Sequence, residues 1–246
     1  MSENVQVTDA PIQELVPGMW AIGQKLGGEV HAFLCDDGGE LTLIDTLFDT
    51  KPTRILGLIE QIGRKPSDLK HIVISHGHRS HLGGMAALKE LTGATLYAHE
   101  WEADILSDER KAQGIGLIPH KPFKTFPFQV GLTLGLGRHD PAKVDHFVAG
   151  GDRVGPIEIV DATGHSPGHL AFLWSEKKAL VAGDAVATWP SLLPGWPGFN
   201  LNEKLHRAAL RRLAEVEPEV LGVGHGAPIT SGARECIRDL IDGLGA

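Results

Sequence analysis

Apolar and polar positions alternate along the chain in a way that predicts short strands interleaved with amphipathic helices. Met19 to Ile22, Val30 to Cys35 and Leu41 to Ile44 are β-rich runs. Asp36-Asp37-Gly38-Gly39 between the last two is a hairpin-type turn, so antiparallel pairing is expected. From Lys51 to Ile62 the period becomes helical, with apolar residues at 55, 58, 59 and 62, Pro52 near the start and Gly63 at the end. Ile72 to Ile74 close another strand. Met85 to Leu91 reads as a helix ended by Gly93, Ala94 to Ala98 as a strand, and His99 to Gln113 as a helix carrying Trp101, Ile105 and Leu106.

The pattern then loosens. From Gly114 to Gly155 glycine, proline and phenylalanine are frequent and periodicity is weak, with Val130 to Leu136 a possible strand. A covering segment over a functional site and a set of hidden strands both fit this stretch. Pro156 to Val160, Leu170 to Trp174 and Ala179 to Ala182 are strands, and Trp189 to Phe199 is a stiff loop rich in proline and aromatics. Asn200 and Glu203 have capping-box spacing for a helix through Val216, with Leu205, Leu213 and Val216 on its core side. Val220 to Val223 and Ser231 to Leu240 supply a last strand and helix. Alternating strands and helices predict a layered α/β architecture, read as one domain over residues 1–246 with a possible cover at 114–155.

Composition narrows the partners. The net charge is −8 from 23 basic and 31 acidic residues, without a basic run able to track phosphates, so nucleic acid is disfavoured and a small-molecule substrate expected. No stretch reaches about 18 uninterrupted apolar residues, so no membrane span is expected. The polar, acidic start from Met1 to Pro11 lacks a secretory leader, which predicts a cytoplasmic protein. Cys35 and Cys236 define no disulfide framework and read as buried free thiols. Oligomeric state is left open by composition.

The chemistry gathers where strands end. His76, His78 and His81 fall within six residues after an apolar strand, a spacing that can turn three imidazoles toward one cation. His165, Asp184 and His225 stand at three further strand ends, each beside a glycine that lets the backbone turn sharply. Singly, each of these is more often a turn or core residue. The recurrence of strand, small-residue turn and ligand type is hard to explain by stability alone.

In this order of motifs the chain resembles the metallo-β-lactamase-fold hydrolase superfamily, whose pattern is His-x-His-x-Asp-His followed by Gly-His, Gly-Asp and Gly-His-Gly. The resemblance runs over nearly the whole chain and implies a four-layer αββα sandwich of two mixed sheets. It implies that His76, His78 and His165 bind one metal, that Asp184 bridges two, and that His81 and His225 help hold the second. Neutral imidazoles leave a cation's charge largely uncompensated, so bound water becomes hydroxide near neutral pH and attacks a carbonyl or phosphoryl centre. The expected function is a zinc-dependent hydrolase, with one or two ions, acting on a small ester, thioester, lactone or lactam. An iron-dependent dioxygenase of the persulfide type, or a metal-binding module without turnover, are the alternatives.

Ser80 stands where the family pattern has its hydroxide-orienting aspartate. A serine hydroxyl is a poor ligand for a hard divalent ion, which predicts a weakened second site. Asp45, in Ile44-Asp45-Thr46, either supports a metal-bound histidine or caps a turn. His99 is expected to open a helix, and His169 to point at core or solvent. Trp189, Trp196 and Phe199 either wall a pocket or form a satellite core.

Overall fold

The structure, a computed structural model, describes residues 11–113, 115–136, 138–196 and 198–244. Of the leaderless start expected over Met1 to Pro11, only Pro11 is described, and Gly114, at the head of the expected cover, lies outside these ranges. The first sheet contains β1 (Ile12–Val16), β2 (Met19–Gln24), β3 (Val30–Asp36), β4 (Leu41–Ile44), β5 (Leu69–Val73), β6 (Thr95–Ala98) and β7 (His146–Phe147), side by side in that order. Pairing is antiparallel from β1 to β4 and parallel from β4 to β7. The second sheet runs β12-β11-β10-β9-β8, from β8 (Arg153–Val154), β9 (Ile157–Asp161), β10 (Leu170–Trp174), β11 (Ala179–Val181) and β12 (Val220–Gly222). Only its β11–β12 pair is parallel.

Seven α-helical segments flank the sheets: α1 (Leu26–Glu29), a single turn, α2 (Thr53–Gln61), α3 (Met85–Thr92), α4 (Glu100–Leu106), α5 (Phe126–Thr133), α6 (Glu203–Glu215) and α7 (Ala233–Gly243) among the described residues. Strand alternation fixes the layers. On β3, Val30, Ala32 and Leu34 pack outward with Ile55, Leu58, Ile59, Met85 and Leu88 of α2 and α3. Phe33 and Cys35 turn the other way, meeting Ile159, Phe172 and Val181 of the second sheet. The far face of that sheet, with Ala171, Leu180 and Leu221, is covered by Leu210, Leu213 and Ile237 of α6 and α7. The result is the expected four-layer αββα sandwich. Phe33 and Phe172 are fully buried between the sheets, where truncation to alanine costs about 3–5 kcal/mol.

Several local expectations are corrected. Val130 to Leu136 is not a strand: α5 occupies Phe126–Thr133. The helix expected over His99 to Gln113 stops at Leu106, and β1 was not foreseen by the periodicity. Helix α6 is capped by Asn202, whose Oδ1 accepts from the Leu205 amide at 3.0 Å, and not by Asn200. Leu205 is consequently 45% exposed, and His206 takes the core side with Leu213. Cys35 is buried but Cys236 only partly so. No described helix is long and apolar enough to cross a membrane.

Candidate metal centre

Loops leaving both sheets meet at one edge of the sandwich. After β5 the chain passes through Ser75 and His76 into a helical turn over Arg79–His81, which brings His76, His78 and His81 together. His165 lies on the loop between β9 and β10, Asp184 on a turn directly after β11, and His225 just past β12. Gly83 lets the histidine turn lie against the loop after β4, since a Cβ there would come 2.4 Å from the Phe48 carbonyl carbon. Gly224 has a similar role beside Asp184, whose Oδ1 would be 1.9 Å from an added Cβ.

Asp184 is the hub. Its Oδ2 lies 3.5 Å from His76 Nε2, 3.4 Å from His165 Nε2 and 3.3 Å from His225 Nε2, while Oδ1 is 3.3 Å from His81 Nε2. His78 Nδ1 faces His165 Nε2 at 3.1 Å. Two donor sets follow, His76, His78, His165 and Asp184 in one, His81, Asp184 and His225 in the other, each with its donor atoms within 4.8 Å of one another. Ser80 lines a cleft beside these sets together with His78, Asp184 and His225.

The outer nitrogens explain why the inner ones are available. His225 Nδ1 donates to the Gly28 carbonyl at 2.8 Å, and His165 Nδ1 faces Asn200 Oδ1 at 3.4 Å. His81 Nδ1 meets Asp45 Oδ2 at 2.9 Å, and His76 Nδ1 meets Ser75 Oγ at 2.9 Å, the hydroxyl donating in turn to Asp45 Oδ2 at 2.7 Å. With the proton held on Nδ1, each Nε2 lone pair points inward.

Burial holds the imidazoles of His78 and His165 down at about 4 and about 3, and pushes His76 well below its ordinary value. Burial acts on His81 in the same sense, but the Asp184 and Asp45 carboxylates override it and hold that ring up at about 10. For Asp184, burial favours the neutral acid, but His225, His81 and His76 outweigh it and keep the carboxyl well below the usual range. His76 Nε2, His81 Nε2 and Asp184 Oδ1 are buried and have no well-formed hydrogen bond among the described residues. Orphaned inner atoms, the neutral imidazoles of His76, His78 and His165, and a carboxylate that holds a proton on His81 where a cation could replace it fit a bound cation better than a self-satisfied polar core.

A family model described as the Metallo-beta-lactamase superfamily matches residues 26–225. The chain belongs to that superfamily. It is 25% identical over 224 residues to "Probable metallo-hydrolase YflN" of Bacillus subtilis (strain 168), covering 84% of this chain and 80% of the relative. It is 26% identical over 182 residues to "N-acyl homoserine lactonase" of Bacillus thuringiensis, covering 72% of this chain and 63% of that protein. Among solved structures, a metallo-beta-lactamase family protein of Thermus thermophilus superposes with a TM-score of 0.67 at 22% identity, over 94% of this chain and 80% of that one. This likeness is one of fold.

Within the superfamily framework, three supporting residues were not legible as such. Glu102 on α4 is buried and accepts from the Gly77 amide at 3.0 Å, from Ser166 Oγ at 2.6 Å and from the Gly168 amide at 2.9 Å, tying the loop of His76 and His78 to that of His165. His169 is buried, neither facing solvent nor idle. Its Nδ1 donates to the Ala162 carbonyl at 3.1 Å, which leaves Nε2 to accept from the Asp184 amide at 3.0 Å. Ser75 links His76 to Asp45. Asp45 itself takes a left-handed backbone, φ 59°, and accepts from the Ser75 amide at 2.8 Å. His99 opens α4, its Nδ1 accepting from the Trp101 amide.

A cleft of about 320 Å³ opens over His78, Ser80, Asp184 and His225, walled by Phe48, Phe128, Leu132, Trp196 and Phe199. Trp196 stacks on the His225 ring with centroids 4.1 Å apart and donates its indole N–H to the Trp189 carbonyl at 2.8 Å. Trp196 and Phe199 are both pocket wall and satellite core, while Trp189 packs behind Trp196 and does not line the cleft.

Proposed function

We propose that this protein is a metal-dependent hydrolase of small esters, thioesters, lactones or lactams. In this reading His76, His78 and His165 hold one cation, His81 and His225 a second, and Asp184 both. The observation that carries it is the meeting of two inward-facing donor sets on one buried carboxylate at the floor of an apolar cleft. A divalent cation bound there supplies a nucleophilic water at neutral pH and positive charge for the oxyanion that develops. Imidazole and carboxylate donors suit zinc, and a two-histidine, one-carboxylate subset also suits ferrous iron.

The chain's own residues do the rest. Asp45 and Ser75 fix the rings of His81 and His76, and His169 holds the Asp184 backbone, so the donors keep their directions without reorganisation. Phe128, Leu132, Trp196 and Phe199 receive the unreactive apolar part of the substrate and keep bulk water away. The name of YflN, a probable metallo-hydrolase, agrees with metal-dependent hydrolysis, and that of the N-acyl homoserine lactonase with a small lactone as substrate.

Ser80 leaves the second donor set one carboxylate short of the motif, so its cation is bound more weakly than the first. Metal analysis of purified protein, together with assays on acyl esters, thioesters, lactones and a lactam, tests the reading. About one zinc per chain with turnover of at least one class is expected, and Ser80→Asp should raise the content toward about two and speed hydrolysis. Unchanged stoichiometry and rate in that variant would overturn the account of Ser80. Iron with oxygen uptake and no hydrolysis would overturn the hydrolase.

A further inference from the structure

Beside the apolar cleft lies a second one, of about 200 Å³, whose lining has the opposite character. Arg79, Arg110, Lys111 and Arg138 contribute four cationic side chains to it, with His139, against the single carboxylate of Asp108. This concentration occurs in a chain of net charge −8. The two clefts share Arg79, Leu132 and Leu136 as a common wall, and Gly77, between His76 and His78, lines the basic one.

Two of the guanidinium groups are held in place by aromatic rings and backbone carbonyls, and one of the two, Arg110, is also ion-paired. Arg79 lies over the Phe48 ring at 4.3 Å, and it donates to the carbonyls of Phe48, at 2.6 Å, and Arg138. Among the described residues no carboxylate forms an ion pair within 4 Å of this half-buried cation, and the carboxylates of Asp140 and Asp49 act on it from farther away. Arg110 lies over the Trp101 ring at 5.0 Å, donates to the Trp101 carbonyl, and is loosely ion-paired with Asp104 at 3.8 Å through Nε. Lys111 reaches over Gly135, where an added Cβ would meet its Nζ at 3.3 Å. A half-buried guanidinium whose hydrogen bonds go to carbonyls, with no close carboxylate, keeps most of its charge for an incoming anion, and aromatic stacking lowers the entropy lost when it engages one.

We propose that this basic cleft is an anion subsite, and that the protein's substrate is an acyl compound whose apolar part enters the cleft over the donor sets while a carboxylate or phosphate it carries is received by Arg79, Arg110, Lys111 and Arg138. The inference rests on the hydrolase reading for the word substrate, but the anion site stands on its own geometry.

Two measurements separate these. In the first, metal-free protein is titrated with inorganic phosphate and, separately, with succinate, followed by calorimetry. Both should bind, more weakly as salt rises, and the Lys111→Gln/Arg138→Gln double variant should raise each Kd about tenfold. Both positions are exposed, and an unchanged melting temperature shows that the variant is folded. In the second, KM is compared for a hexanoyl thioester of 3-mercaptopropionate and for the methyl ester of that thiol portion. The free acid should have a KM about tenfold lower in the native protein, a ratio that falls toward one in the double variant. Absence of phosphate and succinate binding, or equal affinity in the variant, overturns the anion site whether or not any thioester is cleaved. Anion binding with no preference for the acidic thioester overturns its assignment to the substrate and leaves a site for free anions. Turnover without anion binding would leave the hydrolase standing and the subsite refuted.

Discussion

Glu102 shows how one side chain can govern a site it never enters. Three donors converge on its carboxylate, two of them backbone amides of loops that carry donor histidines, at 3.0 and 2.9 Å. A carboxylate accepts at both oxygens, whereas a glutamine would set an amide N–H against one of these N–H groups. Glu102→Gln is therefore expected to lose about 1–3 kcal/mol of stability. If His76, His78 and His165 hold a cation as proposed, this substitution should also weaken that binding by about 10–100-fold. Competition with a chromophoric chelator measures the second effect, and the visible spectrum of the cobalt-substituted protein reports whether the donor geometry has changed. An altered melting temperature with unchanged metal affinity and spectrum would reduce Glu102 to a packing residue. Nothing in the sequence flagged it, because its partners lie 25 and 66 residues away and their amides carry no side-chain signature. That His76, His78, His81, His165, Asp184 and His225 gather at one edge was legible for the opposite reason. Each follows a β-rich run and sits beside or near a glycine, a local pattern that survives without any knowledge of the contacts.

At the scale of elements, regular strands and amphipathic helices were readable because one face of each is buried, and the period of burial is the period of the sequence. Helix α5 broke that rule. Val130, Leu132, Leu134 and Leu136 alternate with Gly131, Thr133 and Gly135, a two-residue period that describes a strand well. The helix forms nonetheless, with Pro127 in its first turn and tertiary ties that no periodicity contains. The Gln129 amide donates to the carbonyls of Gly116 and Ile118, and Thr133 Oγ1 to that of Ile115. Those ties turn Phe128 and Leu132 toward the cleft, with the Phe128 and Trp196 rings 5.3 Å apart. The alternation instead leaves Leu134 and Leu136 60% and 64% exposed, Leu136 at the rim shared by the two clefts. If α5 is the wall that receives an apolar chain, Phe128→Ala should raise KM for a hexanoyl ester about tenfold and change KM for the acetyl ester far less. Equal losses on both substrates would mean that α5 supports the fold and does not read chain length.

The buried imidazoles with a lowered pKa make the whole molecule less stable in acid, while His81, held up at about 10, acts in the opposite sense but only above about pH 6.5. His31 on β3 is 5% exposed and lies outside the two donor sets. Burial is the main cause that brings its pKa from the ordinary 6.5 down to about 4; its hydrogen bond to the Glu29 carbonyl opposes this, and His225 and Arg54 reinforce it. The folded-state value lies below the unfolded one, so the folded chain keeps the ring neutral where the unfolded chain has taken up a proton. The contribution of His31 is therefore constant above about pH 6.5, is lost as pH falls toward 4, and levels off below that. The span corresponds to about 3 kcal/mol. His165 and His169, both brought to about 3 by burial, act in the same direction and extend the decline further into acid. Urea unfolding of metal-free protein between about pH 7.5 and 4 should accordingly show a falling midpoint. In His31→Gln, which keeps a donor for the Glu29 carbonyl without a titrating ring, the fall over this range should be shallower by about 3 kcal/mol. A parallel decline in native protein and variant would mean that His31 is charged in the fold, contrary to its burial. It would also move the acid sensitivity onto the imidazoles around Asp184, where the inner nitrogens of both sheets already compete for one carboxylate.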